Sequence, residues 1–198
     1  MGLFCEVLRV MIGARGIMAL LCLLGAMSGA AAEPAMEPLD HAICRLIESS
    51  ARANQLPVGF FTRLIWRESS FRAAVISPAG AEGIAQFMPA TARERGLADP
   101  FDPERAIPKA AGLLADLRRQ FGNLGVAAAA YNAGPTRVRE WWAGRRSDDL
   151  EVWVDQIPYN ETRAFVKRVM LSYEEYRRIY GEKPGEKPGD GPKGGGES

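Results

Sequence analysis

Histidine is nearly missing from this chain: His41 is the only one in 198 residues. That scarcity argues against a histidine-built zinc site and against Ser-His or Cys-His catalysis, since each needs an imidazole held beside its partner. Cysteine is scarce too, with three in all. Cys5 and Cys22 fall in the first 32 residues, so a chain processed there keeps only Cys44 and no internal disulfide. Cys44 lies between Ile43 and Leu46 in a helical pattern and reads as a small buried apolar residue. Nor is there an excess of one charge. Lys and Arg total 25 against 24 Asp and Glu, a net charge of +1. A nucleic-acid partner, which needs a concentrated basic surface, is not suggested. No clear β alternation appears; Val152-Trp153-Val154 is the best strand candidate, and it is short. No metal and no organic cofactor is expected.

What is present begins with an export pattern. Arg9 and Arg15 precede an apolar run from Ile17 to Met27, and small residues follow from Ser28 to Ala32. This order of basic, apolar and small segments is that of a secretory signal peptide over residues 1–32, cleaved before Glu33. The alternative, a retained anchor, would need a longer charge-free run to span a bilayer. Leu21 before Cys22 is too large for a typical lipoprotein site, so no stable membrane anchor is expected. Removing residues 1–32 takes away Arg9, Arg15 and Glu6 and leaves the two charge signs equal. Residues 33–38 form a leader, and 39–180 the domain. Residues 181–198, with repeated Gly-Glu-Lys-Pro and no aliphatic or aromatic residue, cannot bury surface and should be disordered.

Within the domain the apolar spacing is helical. Leu39, Ile43, Leu46, Ile47 and Ala51 predict a helix over 39–53. Pro57 can open a second, running to about Ser70, with Phe60, Phe61, Leu64 and Ile65 on its apolar side. A Gly/Pro/Ser-rich loop follows to Gly83. Further helices are expected from Pro89 to Gly96, over 104–121, over 124–130, around Trp141 and Trp142, and over 160–180. Asn132-Ala133-Gly134-Pro135 reads as a break. The fold class is mainly α, with little or no β-sheet.

Glu68 is the most unusual placement. It lies four residues after Leu64 and three after Ile65, which puts its carboxyl on the apolar face of its helix. A carboxyl desolvated there has a raised pKa, the property a general acid needs near neutral pH. A Glu reaching solvent, or paired with Arg67 or Arg72, fits the spacing as well.

Four blocks bear on that choice. They are Glu68-Ser69-Ser70-Phe71, the stretch from Ser77-Pro78-Ala79-Gly80 through Gly83-Ile84-Ala85-Gln86-Phe87-Met88-Pro89, Ala130-Tyr131-Asn132-Ala133-Gly134, and Ile157-Pro158-Tyr159-Asn160-Glu161-Thr162-Arg163. In this order, from about Leu56 to Val169, they resemble the soluble lytic transglycosylase family, whose catalytic domain is related to goose-type lysozyme. The resemblance implies a lysozyme-like helical domain with a substrate groove. It implies cleavage of the β-1,4 bond between N-acetylmuramic acid and N-acetylglucosamine in peptidoglycan, non-hydrolytically, leaving a 1,6-anhydro end. Glu68 takes the family's acid-then-base role. Ser77, Gln86 and Met88 take substrate-contacting positions, and Gly80 and Gly83 let the loop backbone approach the sugar. Tyr131 orients substrate or acid, Asn132 beside it fixes the turn, and Glu161 supports the cleft from behind. Without the family pattern, Met88 reads as core, Gln86 as a solvated loop residue and Glu161 as a first-turn helix acid.

Ile84 and Ala85 depart from the family's usual Leu and Met, and Ala85 opens space that bears on sugar fit. Trp141, Trp142 and Trp153 suit sugar stacking or core. Two other functions stay open. One is a hydrolytic muramidase using a second carboxylate such as Asp99, Asp102 or Asp155; the other is a non-catalytic wall-binding module. The expected partner is the peptidoglycan glycan strand in the periplasm or cell wall space. Some family members serve secretion or pilus machines, and no feature here names one.

Overall fold

A computed structural model describes residues 39–180. The signal segment, the leader and the tail inferred above lie outside the described residues. The chain divides into two units, 1–45 and 46–198. Of the first, only the opening turns of one helix are described.

Eight helices run through the described residues. They are α1 (Leu39–Ala53), α2 (Val58–Ser69), α3 (Pro89–Glu94), α4 (Pro103–Phe121), α5 (Leu124–Ala133), α6 (Pro135–Ala143), α7 (Leu150–Asp155) and α8 (Asn160–Tyr180). No strand forms among them. Two isolated antiparallel bridges, Ile76 with Glu82 and Glu82 with Phe87, tie the loop between α2 and α3 to itself. The mainly helical class expected from periodicity is the one observed.

Proline and short polar side chains set the helix starts. Pro57 holds an extended conformation ahead of α2. The Asp102 side chain accepts the Glu104 N–H at the start of α4, which Pro103 opens. Asn123 accepts the N–H groups of Gly125 and Val126 at the start of α5. α2 stops where Ser70 turns left-handed, at φ 54°, and donates its N–H to the Trp66 carbonyl.

The core of the second unit is built on α5. Its residues Ala127 to Ala130 are all buried, so this short helix is apolar on every side, as a central helix must be. It packs against α4, α6 and α8, while α2 and α7 pack on α8. Small alanine side chains let those neighbours come close. Phe60, Phe61, Leu64 and Ile65 of α2, with Ile107 and Leu114 of α4, are fully buried. Each such side chain stabilises the fold by roughly 1.5–3 kcal/mol relative to exposure.

Two local expectations are corrected. Val152-Trp153-Val154 is helical, not extended, because the Asp149 side chain accepts the N–H groups of Glu151 and Val152 and starts a helical turn. Trp153 and Val154 are then buried. The break after Tyr131 falls later than expected: α5 continues through Asn132 and Ala133 and ends at Gly134, φ 87°. No described helix is long and apolar enough to cross a membrane.

Candidate active site

The candidate residues meet where the end of α2, the loop of residues 70–88, the end of α5 and the start of α8 converge. They line a cavity of about 400 Å³ within the second unit. α2 contributes Glu68 and Arg67, and the loop contributes Ser77, Gln86 and Met88. α5 contributes Tyr131 and Asn132, and α8 contributes Glu161 and Arg168. Seven of the nine positions given a role from the sequence therefore line one cavity, although they span residues 68 to 161.

Glu68 sits one residue before the end of α2. Its carboxyl is pushed up to about 8, first by burial and then by the negative charge of Glu161, while the Arg67 guanidinium pulls the other way. The α2 C-terminus adds partial negative charge near the same group, which also disfavours the carboxylate. At neutral pH Glu68 is thus a protonated acid facing a cavity. A carboxyl freely reaching solvent, or held in an ion pair with Arg72, is not what forms. The Arg72 Nε instead donates to the Ser69 carbonyl at 2.9 Å.

The loop carrying Ser77 and Gln86 is hung from the helices by its carbonyl groups. The Ser69 hydroxyl donates to the Ile84 carbonyl at 2.7 Å, and the Tyr131 hydroxyl donates to the Ala85 carbonyl at 2.8 Å. Gln86 adopts φ 51°, a conformation that costs a non-glycine residue about 1 kcal/mol or more. Its side-chain amide holds it there by donating to the Gly83 carbonyl at 2.8 Å and the Val75 carbonyl at 3.2 Å. Ser70 and Phe71 are also left-handed. Backbone strain therefore flanks Glu68 on its C-terminal side and recurs at Gln86, which lines the same cavity. Ser77 closes a tight turn: its hydroxyl accepts the Ala81 N–H at 3.0 Å, and its own N–H donates to the Ala81 carbonyl at 2.8 Å.

Burial, and next the nearby charge of Glu68, push the Tyr131 hydroxyl well above its ordinary range. It stays a neutral donor and spends its proton on Ala85. Met88 is exposed at the cavity wall, so the core alternative for it is excluded.

Several expected roles change. Gly83 does not line the cavity. Its φ is 75°, and a Cβ there would stand 1.8 Å from the Pro100 carbonyl oxygen. Glycine is required by the neighbouring backbone, not by a sugar. Gly80, φ 83°, has nothing within 4 Å of where a Cβ would lie, so its requirement is the turn itself. Asn132 does not fix a turn: its Oδ1 accepts the Thr162 hydroxyl at 2.8 Å and joins α5 to α8. Ala85 is fully buried and opens no space in the cavity. Trp153 belongs to the core, packed edge-on against Trp142.

The candidate second carboxylates lie elsewhere. Asp99 accepts the Phe101 N–H, Asp102 caps α4 and pairs with Arg105, and Asp155 pairs with Lys167. None of the three lines the cavity; besides Glu68, the carboxylate that does is Glu161. Arg168 escaped the sequence reading. Its signal was there, since Glu161, Ala164, Phe165 and Arg168 recur at helical spacing and all line the cavity. Among the described residues no cluster of three or more His, Cys, Asp or Glu side chains is placed to hold a metal ion.

This helical fold, with the half-buried Glu68 on its cavity wall, defines a class. The transglycosylase SLT domain model matches residues 45–154, and the chain belongs to that family of lysozyme-like domains. The match stops before Glu161, whose place at the site rests on the geometry. The soluble lytic murein transglycosylase of Escherichia coli is 36% identical over 153 residues, covering 70% of this chain and 23% of that protein. Among solved structures, the 70 kDa soluble lytic transglycosylase of Escherichia coli superposes with a TM-score of 0.63 at 34% identity, over 70% of this chain and 24% of that one. The lytic transglycosylase Slt of Pseudomonas aeruginosa, solved as an inactive glutamate-to-glutamine mutant, gives 0.63 at 32% identity, over 68% and 24%. The chain thus spans about a quarter of the length of these relatives.

Proposed function

We propose that this chain is a peptidoglycan lytic transglycosylase, cleaving the β-1,4 bond between N-acetylmuramic acid and N-acetylglucosamine with Glu68 as its acid and then its base. The observation that carries the reading is the Glu68 carboxyl on the wall of a cavity, where burial pushes its pKa up to about 8. In the first half of the reaction Glu68 gives its proton to the glycosidic oxygen as the bond to the anomeric carbon breaks. Positive charge then spreads over the anomeric carbon and ring oxygen, and the substrate's own N-acetyl group stabilises it. In the second half the muramic acid 6-hydroxyl attacks that carbon and returns its proton to the Glu68 carboxylate. The enzyme is restored, and the product carries a 1,6-anhydro ring. The nucleophile is tethered to the reacting sugar, which removes the entropic need for a bound water. This is a departure from the paired-carboxylate plan of most glycosidases.

Arg67 steadies the transient Glu68 carboxylate, while Glu161 favours return of the proton. These opposed charges suit a group that must both give and take a proton. Ser77, Gln86, Met88 and Asn132 form the sugar-facing wall. Tyr131 acts as a positioning residue through the loop it holds. The positions taken by Asp99, Asp102 and Asp155 favour this reading over hydrolysis through one of them. The export pattern of residues 1–32 supports action in the periplasm or cell wall space. Local opening of the wall for a secretion- or pilus-type machine is the wider role such an activity permits.

The test is a digest of purified peptidoglycan, with products analysed by mass spectrometry beside a Glu68→Gln control. Anhydromuropeptides from the unaltered protein alone are expected. Reducing-end products would move the assignment to a hydrolase using Glu161. Equal products from the control would remove Glu68 from the chemistry.

A further inference from the structure

The charged groups on the cavity wall are not balanced. Four side chains there can carry charge: Arg67, Arg168, Glu161 and Glu68. With Glu68 holding its proton, two guanidinium groups face one carboxylate, and one positive charge is left over. Glu161 does not neutralise either arginine directly, since no ion pair joins it to Arg67 or Arg168 among the described residues. The Arg67 Nε is buried and has no hydrogen-bond partner, a costly state for a charged donor unless a ligand completes it. Arg168 lies one helical repeat beyond Glu161, exposed at the cavity wall, with its donors unspent on any described neighbour. Two unspent guanidinium groups on one concave wall are an anion's complement, because a guanidinium presents donors in a planar fork that fits a carboxylate.

We propose that Arg67 and Arg168 form an anion subsite that takes a carboxylate of the glycan strand. The proposal rests on the glycan-strand reading above and adds the part of the strand that is recognised. Two carboxylates share the needed chemistry. One is the lactyl group of a muramic acid that carries no peptide; the other is the acid of a peptide stem. Seating either one also offsets the Arg67 charge that draws the proton from Glu68. A carboxylate-bearing substrate therefore keeps the acid protonated to higher pH than a neutral one does.

The experiment measures binding, so that it reads independently of turnover. The full chain carrying Glu68→Gln keeps the cavity's charge, because the amide replaces a neutral acid. It is titrated calorimetrically with a tetrasaccharide of alternating N-acetylglucosamine and N-acetylmuramic acid, with and without stem peptides. Each ligand is also used with its carboxyl groups converted to methylamides. We expect the free acid to bind on the order of tenfold more tightly than its amide, the scale of one charge-assisted contact. Adding Arg168→Gln should shrink that ratio to about twofold or less, and so should Arg67→Gln in a chain whose melting shows it folded. A ratio seen without stems assigns the lactyl carboxylate; one seen only with stems assigns the peptide acid. Equal affinity for acid and amide in both pairs overturns the subsite, and so does a preference that survives both substitutions. Failure of the glycosidic reading shows separately, as sacculi that release no anhydromuropeptides.

Discussion

Glu68 should cost this protein stability, and replacing it should return that stability while removing activity. A group whose folded pKa is raised binds its proton more tightly in the native state than in the unfolded chain. Between the ordinary value of 4.5 and about 8, the native state holds a proton that the unfolded state has lost. Stability from this group therefore falls as pH rises through that window and levels off above it. The full shift corresponds to about 5 kcal/mol, an upper limit because solvent reaches the cavity. Half of it, about 2.5 kcal/mol, would move the midpoint of melting by on the order of 5–10 °C in a domain of this size. Glutamine matches the shape of the protonated acid and never ionises. Urea or thermal unfolding of the wild type and Glu68→Gln, measured side by side from pH 4.5 to 9, isolates the contribution of this carboxyl, since other titrating groups cancel in the difference. The two should be nearly equal at pH 4.5, with the glutamine variant gaining steadily until about pH 8. A difference that is flat with pH, or that grows toward acid, would refute the account of a desolvated, proton-holding carboxyl.

Three other outcomes follow from the site. With Glu68 as the acid, kcat/KM on peptidoglycan should fall about tenfold per pH unit above about pH 8, and a flat alkaline limb would remove it from that role. Tyr131→Phe deletes the bond to the Ala85 carbonyl and leaves that acceptor without its partner; a loss of about 1–3 kcal/mol in urea unfolding is expected. If Tyr131 positions the loop, kcat should drop in that variant with little change in KM. Gly83→Ala forces a methyl group into the Pro100 carbonyl at a positive φ, and should destabilise by more than about 4 kcal/mol or prevent folding, read by soluble yield and melting.

Most of the helical frame could be read from spacing alone. α1 and α8 stand over the residues expected, and α2, α3 and α4 lie within two residues of expectation, because their apolar stripes, prolines and capping residues all point the same way. Where local signals conflicted, the reading failed. Val152 and Val154 favour a strand by their branching, but the Asp149 cap three residues before Val152 and the burial of Trp153 decide for helix. At the site, sequence picked out Glu68 and most of the other residues that line the cavity. It missed what holds the wall in place. The acceptors of the Ser69 and Tyr131 hydroxyls are main-chain carbonyls, which look alike at every position in a sequence. The crowding of Gly83 comes from Pro100, seventeen residues away along the chain, and no local pattern reports it. Arg168 resembled any solvated arginine on a helix until the face it shares with Glu161 was known.

The way the 77–87 loop is suspended also bears on how such a site tolerates change. Its two anchoring bonds end on the carbonyls of Ile84 and Ala85. A carbonyl is common to all twenty amino acids, so neither anchor asks anything of the side chain it holds. Those side chains point into the core, where volume alone constrains them. The loop can therefore drift in composition at its two attachment points while keeping its shape. The chemical demand sits instead on the two hydroxyl donors, Ser69 and Tyr131, where a single substitution would remove one of the two anchors.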